Sequence, residues 1–236
     1  MHLPVSPEYL KTALQDGYSM KNIKLVHRPV GDLFLPTGRL VACDPFVFPD
    51  AEPFSLSLPR GRFPLVLIIA EIATDERVAF ALVHFSRNTP ARWEMLSVGS
   101  QDISNLKDGE IFGYPVDSGT GCFMDNSAGS LLNDAMGKDP NYYETLTKEM
   151  DKTYRHTRSW LDTKIGDANL VAFSSGYGDG SYATYAGFDS DNEISTVVTD
   201  FAVLASGPNV IPPRDSEASP RKSGVGRLWG LLRSRK

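Results

Sequence analysis

Cysteine is scarce in this chain: Cys43 and Cys122 are the only two among 236 residues. Two cysteines cannot build a disulfide scaffold, and this pair follows no metal-ligand spacing, so both are expected as buried thiols. Histidine is nearly as sparse. His2 is terminal, His27 and His84 stand singly near the ends of strand-like runs, and His156 falls late in a helical pattern beside Arg155 and close to Arg158. There is no Gly-x-Ser-x-Gly turn and no Ser/His/Asp order built around one, which argues against a hydrolase triad, and the isolated histidines argue against zinc. The Gly-x-Gly-x-x-Gly fingerprint of dinucleotide folds is also missing. Long apolar runs are absent as well. The greasiest stretch, Phe63 to Ala73, is broken by Pro64 and Glu71 and is well short of the ~20 residues that span a bilayer. No early apolar run follows a basic start, so no secretory signal is expected, and the chain reads as soluble and cytoplasmic. No internal repeat marks a solenoid.

What remains is ordinary globular composition, 41% hydrophobic and 22% charged, in a chain long enough to bury a large core without help from metals or disulfides. The net charge of -5 is unevenly spread. Seven basic and two acidic residues lie from Arg214 onward, leaving 17 basic and 27 acidic before it, a balance of -10. An acidic body of this kind repels nucleic acid, so nucleic-acid binding is not expected. The composition divides the chain into an N-terminal helix and lead-in (1–32), one β-rich domain (33–213) and a basic tail (214–236) expected to be disordered. The tail mixes Leu228, Trp229, Leu231 and Leu232 with arginines, as interfacial helices do, so weak contact with an anionic membrane is its alternative role.

Ser6 and Pro7 read as the cap and first position of a small helix carrying Tyr9, Leu10, Ala13 and Leu14. Pro36-Thr37-Gly38 marks a turn before a short strand, Arg39 to Cys43, and Phe54 to Leu58 is a further strand candidate. Leu65 to Ala73 and Arg77 to Phe85 form a hairpin that is apolar on both faces and therefore central. Trp93 to Val98 and Tyr114 to Asp117 follow as strands. Ser127 is placed to cap a short helix through Met136. Asp139 and Pro140 open one longer helix, whose Tyr142, Leu146, Met150 and Tyr154 recur every fourth residue, with Trp160 near the same face. Asn169 to Ser174 is a buried strand. The last hairpin pairs a run around Ser181 to Phe188 with Ile194 to Leu204 across the Asp189-Ser190-Asp191-Asn192 turn. Many short strands with helices grouped mid-chain predict an α+β, mainly antiparallel β fold, sandwich-like or a curved sheet, with one long and two short helices.

The sharpest chemical pattern is Val116-Asp117-Ser118-Gly119-Thr120-Gly121. It has the apolar-Asp-Ser-Gly-Thr form of the catalytic turn of pepsin-like proteases, where two aspartates share a proton. A single-chain enzyme of that kind needs a second such turn, and none is present. The phosphate loop of actin-like ATPases shares some of these letters but belongs to a far longer chain. A glycine-permitted turn in which Asp117 caps its own backbone is the simpler reading. A broader carboxylate set comprises Asp117 and Asp125 near that turn, Asp179 within Gly178-Asp179-Gly180, and Asp200 late in the last strand. With Ser118 and Thr120, these form the candidate site. Oxygen ligands of this type suit Ca²⁺ or Mg²⁺ if the loops share one sheet edge. Asp189, Asp191 and Glu193 lack the glycine and the final glutamate of a calcium loop and read as a solvated turn. No cofactor is indicated.

Several blocks recur in a family-like order: Leu35-Pro36-Thr37-Gly38-Arg39 with Asp44-Pro45, Pro59-Arg60-Gly61-Arg62-Phe63-Pro64, Gly113 to Gly119, and Gly178-Asp179-Gly180 through Asp200-Phe201. Over roughly Leu33 to Leu204 the chain resembles the bacterial and fungal family designated domain of unknown function 4241. The resemblance implies that the two aspartate-glycine turns belong to one recurrent architecture, and it brings no biochemical role. Two functions follow as expectations: a non-catalytic module that binds a protein partner or small ligand, or a carboxylate-dependent hydrolase using Asp117, Asp125 and Asp179, with or without a divalent cation.

Overall fold

In this computed structural model residues 8–20, 22–204 and 209–211 are described. The Ser6-Pro7 helix start and the basic tail lie outside them. Helix α1 (Glu8–Ala13) leads into β1 (Ser19–Met20), β2 (Ile23–Leu35) and β3 (Leu40–Cys43). The central hairpin is β4 (Gly61–Ile72) and β5 (Asp75–His84), followed by β6 (Arg92–Met95), β7 (Glu110–Phe112), β8 (Tyr114–Val116) and β9 (Thr120–Asp125). Helices α2 (Asn126–Lys138) and α3 (Tyr142–Asp151) come next. The chain continues through β10 (Trp160–Ile165), β11 (Ala168–Ser174), β12 (Gly180–Tyr182), β13 (Thr184–Phe188), β14 (Ile194–Asp200) and β15 (Asn209–Ile211).

Two open sheets dominate this α+β, mainly antiparallel fold. One has seven strands in the order β1-β2-β4-β5-β14-β13-β6, the other four in the order β10-β11-β9-β3. Strict side-chain alternation explains how the smaller sheet sits between two layers. On β3, β9 and β11, Leu40, Ala42, Phe123, Val171 and Phe173 face the large core shared with the seven-stranded sheet. Their neighbours Val41, Cys43, Cys122, Met124, Leu170 and Ala172 face Ala128, Leu132, Leu146 and Met150 of α2 and α3. These three strands are therefore dry on both sides, whereas the edge strand β10 leaves Asp162 and Lys164 exposed. Cys43 and Cys122 sit directly opposite one another on β3 and β9, as free buried thiols with their sulfurs 3.5 Å apart.

Strand β2 begins ten residues before Leu33, inside the segment that composition assigns to a lead-in. Pro29 and Gly31 disguise it, and the register with β4 shifts between them. At this bulge a side chain on Gly31 would meet the Asp162 carboxylate at 2.8 Å. Asn169 on β11 binds the same segment, accepting from the Phe34 N–H (2.8 Å) and donating to the Asp32 carbonyl (2.8 Å). Phe54 to Leu58 is an extended connector and not a strand. Its N–H groups from Phe54, Ser55 and Leu58 donate to Leu40, Ser97 and Gly38.

The helices differ from expectation in their bounds. Asp125, not Ser127, caps α2, its carboxylate accepting from the Ser127 N–H. Among the described helices α2 is the longest, and α3 stops at Asp151. Beyond it Thr153 Oγ1 accepts from the Trp160 N–H (2.8 Å) and donates to the Trp160 carbonyl (2.6 Å). Arg155 and Arg158 exchange backbone hydrogen bonds across a two-residue turn. The chain thus folds back, and Trp160 enters β10 instead of extending the helical stripe. The final stretch divides similarly. β13 pairs with β14 in the large sheet, whereas β12 leaves it to pair with β8.

Candidate functional site

The Asp-Ser-Gly-Thr turn joins β8 to β9, and its shape depends on an acid outside the motif. Asp44, fully buried, follows β3. Its Oδ2 accepts from the N–H groups of Asp117 (3.0 Å) and Ser118 (2.7 Å), and its Oδ1 from Ser118 Oγ (2.8 Å) and the Phe46 N–H (2.9 Å). Burying a carboxylate is costly unless donors of this kind meet its oxygens. The turn is pinned from beneath, and the Asp117 side chain is left exposed above it.

The second glycine-rich turn packs on the first. Gly119, in the left-handed region at φ 67°, stands so close to Gly178 that a side chain there would lie 3.7 Å from the Gly178 Cα. The Gly119 carbonyl accepts from the Ser175 N–H at 3.1 Å. Next to this contact β8 and β12 run antiparallel, with Val116 opposite Gly180. Asp117 and Asp179 are the residues just beyond that pair on each strand, so they share one rim, both exposed. The loop before β12 is tight. Tyr182 donates its hydroxyl to the Gly178 carbonyl (2.7 Å), and the Gly178 N–H donates to Ser175 (2.7 Å). Burial raises the Tyr182 hydroxyl pKa, and the charge of Asp179 adds to the effect.

The other candidates are engaged elsewhere. Asp125, also fully buried, lies at the far end of β9, about 16 Å of extended chain from Thr120. It accepts from Thr37 N–H (3.0 Å) and Oγ1 (2.8 Å) and from Ser127 N–H (2.9 Å) and Oγ (2.7 Å). It therefore joins the Pro36-Thr37-Gly38 turn to the start of α2. Thr120 is buried and opens β9 opposite Ser174. Asp200, half-buried, receives the hydroxyl of Tyr9 on α1 and the Ala202 N–H. Burial pushes its carboxyl up, against the lowering effect of those two bonds. Asp189 serves its own turn, accepting from the N–H groups of Asp191 and Glu193, both at 3.0 Å. Among the described residues no three His, Cys, Asp or Glu side chains are grouped as a metal ion would need.

The rim continues into a cluster that the sequence patterns did not single out. Arg77, at the start of β5, donates Nη1 to the Gly176 carbonyl (3.0 Å) and lies over the exposed Tyr177 ring, 4.6 Å from its centre. Its neighbour Glu76 collects Arg155, His156 and Arg158 from the turn after α3. The available signal was the crowding of Arg155, His156 and Arg158, obscured by the expectation that the helix ran through them. For Asp44 it was an acid immediately following an apolar strand.

Buried acids fastening turns and exposed acids on the rim belong to an α+β, mainly antiparallel domain, and among the described residues no helix is long and apolar enough to cross a membrane. The family described as "Protein of unknown function (DUF4241)" matches residues 33–199, more than half of the chain, and the chain belongs to that family. No curated protein and no solved structure matches it.

Proposed function

We propose that the protein is a soluble, cytoplasmic, non-catalytic binding module that meets a protein partner or small ligand at the rim carrying Asp117, Tyr177 and Asp179. The approach of Gly119 to Gly178 carries this reading, because it holds two exposed carboxylates on neighbouring turns of a pinned scaffold. Pre-organised loops bind with little ordering cost, and an exposed tyrosine beside charged groups is the kind of side chain that anchors interfaces. Tyr177 is 63% exposed. A basic partner surface complements the two acids. The alternative of a hydrolase using Asp117, Asp125 and Asp179 has less support, since the Asp125 oxygens are taken by Thr37 and Ser127.

The test compares wild type with Asp117→Ala/Asp179→Ala and with Asp134→Ala, an exposed change on α2, as bait in an extract of the native host. Proteins retained by wild type are then purified and titrated directly. The expected result is a partner whose dissociation constant rises about tenfold or more in the double variant and is unchanged in the control. Equal affinity for all three overturns the proposal.

A further inference from the structure

Glu76 is 13% exposed on its side chain, and three basic groups share it. Arg155 Nε lies 3.0 Å and His156 Nε2 3.4 Å from Oε1, and Arg158 Nε lies 2.6 Å from Oε2. Burial alone would raise this carboxyl, yet the Arg158 hydrogen bond and the charges of Arg158, Arg155 and His156 hold it below its ordinary value. Asp75 alongside takes Arg77 Nε (2.7 Å) and Thr157 Oγ1 (2.8 Å). Two carboxylates thus face three guanidinium groups and an imidazole. Cation exceeds anion by one charge, or by two with His156 protonated, on a body whose own balance is strongly negative.

Arg158 is the informative member. Its side chain is 4% exposed, and its hydrogen bond to Glu76 uses Nε. Among the described residues no acceptor meets its two terminal nitrogens, and neither is among the buried atoms sealed from water without a partner. The guanidinium lies over the Trp160 ring, 5.2 Å from its centre, which leaves its two-pronged edge as the part not yet engaged. The turn that aims it is strained. His156 has φ 54°, a left-handed value on a side-chain-bearing residue, and such conformations persist where surrounding structure enforces them.

We propose that the Arg155–Arg158 turn is an oxyanion subsite that takes the phosphate monoester group of a small ligand, with Arg158 and Arg155 gripping its oxygens and Tyr177, stacked on Arg77, available to the remainder of the molecule. A phosphate monoester carries between one and two negative charges near neutral pH, which matches the cation excess. Arginine forks suit tetrahedral oxyanions, and reduced solvation strengthens such bonds. The inference relies on the rim reading for where the rest of the ligand lies, but not on Asp117 or Asp179.

Calorimetric titration of the full chain with inorganic phosphate and with phenyl phosphate, at constant ionic strength, tests it. Both probes are expected to bind one per chain. Arg155→Ala, at a side chain 64% exposed, is expected to weaken both by about tenfold or more. Arg158→Lys keeps the charge but loses the fork and is expected to act likewise. Tyr177→Ala is expected to weaken phenyl phosphate alone, and Arg60→Ala, a distant exposed change, neither. The Asp117→Ala/Asp179→Ala variant is expected to bind inorganic phosphate as wild type does, so this subsite and the acidic end of the rim succeed or fail separately. No saturable binding of phosphate by wild type, or binding indifferent to Arg155→Ala, overturns the proposal. Should Arg158→Lys not fold, Arg155→Ala decides it.

Discussion

Two pairs of aspartates, one buried and one exposed, lead opposite lives. Asp44 and Asp125 are fully buried, each accepting at least four hydrogen bonds, and they tie turns to strands and a helix. Asp117 and Asp179 stand in solvent, the first on the turn that Asp44 fastens. An aspartate inside a catalytic-looking motif can be the ornament of a turn while an unremarked one builds it. Burial and donor supply, not local spelling, decide which acid shapes the fold and which is free to meet something else.

The comparison is broken most sharply by removing the buried acids. Asp44→Ala leaves several donors unpaired around a vacated charge site and is expected to cost about 3 kcal/mol, and Asp125→Ala about 2 kcal/mol through the lost cap and turn contact. Urea unfolding at neutral pH measures both, and a loss below about 1 kcal/mol for Asp44→Ala contradicts its role. Next comes acid sensitivity. Glu76 and Asp75 have carboxyls held below their ordinary values, Glu76 by its arginines and Asp75 chiefly by Thr157 and Arg77, in each case against burial. A lowered folded value means stabilisation that is present above the unfolded value and lost as pH falls through the folded one. Wild type should therefore lose stability more steeply than Glu76→Gln between about pH 5 and pH 3. Parallel curves would show the cluster to be without net effect. The smallest effect belongs to the rim: Asp117→Ala and Asp179→Ala singly should each change stability by less than about 0.5 kcal/mol. A larger loss from either would make it a member of the buried class in function if not in position.

The parts of this architecture visible in the sequence are those where one local signal dominates. The β4–β5 hairpin announces itself through an apolar run on both sides of Thr74, and β13–β14 through β-branched residues around an Asx-rich turn. Strand β2 is hard to see in the sequence because Pro29 and Gly31 look like breakers, although a bulge accommodates them without ending the pairing. The sequence overstates helix α3 because Tyr154 and Trp160 continue its period by coincidence beyond its end at Asp151. Trp160 in fact lies on β10 beside Phe173 of β11. The juxtaposition of Asp117 and Asp179 followed from glycines that permit close backbone approach. Asp125 and Asp200 could not be separated from that pair, since spacing does not tell which donors arrive from Thr37 or Tyr9. The basic cluster at Glu76 was hidden for the same reason, being assembled from segments some eighty residues apart.

Strands β3, β9 and β11, clasped between the larger sheet and two helices, have neither flat side left to offer. Residues there can be exchanged only in the connections at strand ends without disturbing the layers beneath. Sequence change is thus steered outward, to the bends, while the layers themselves stay fixed.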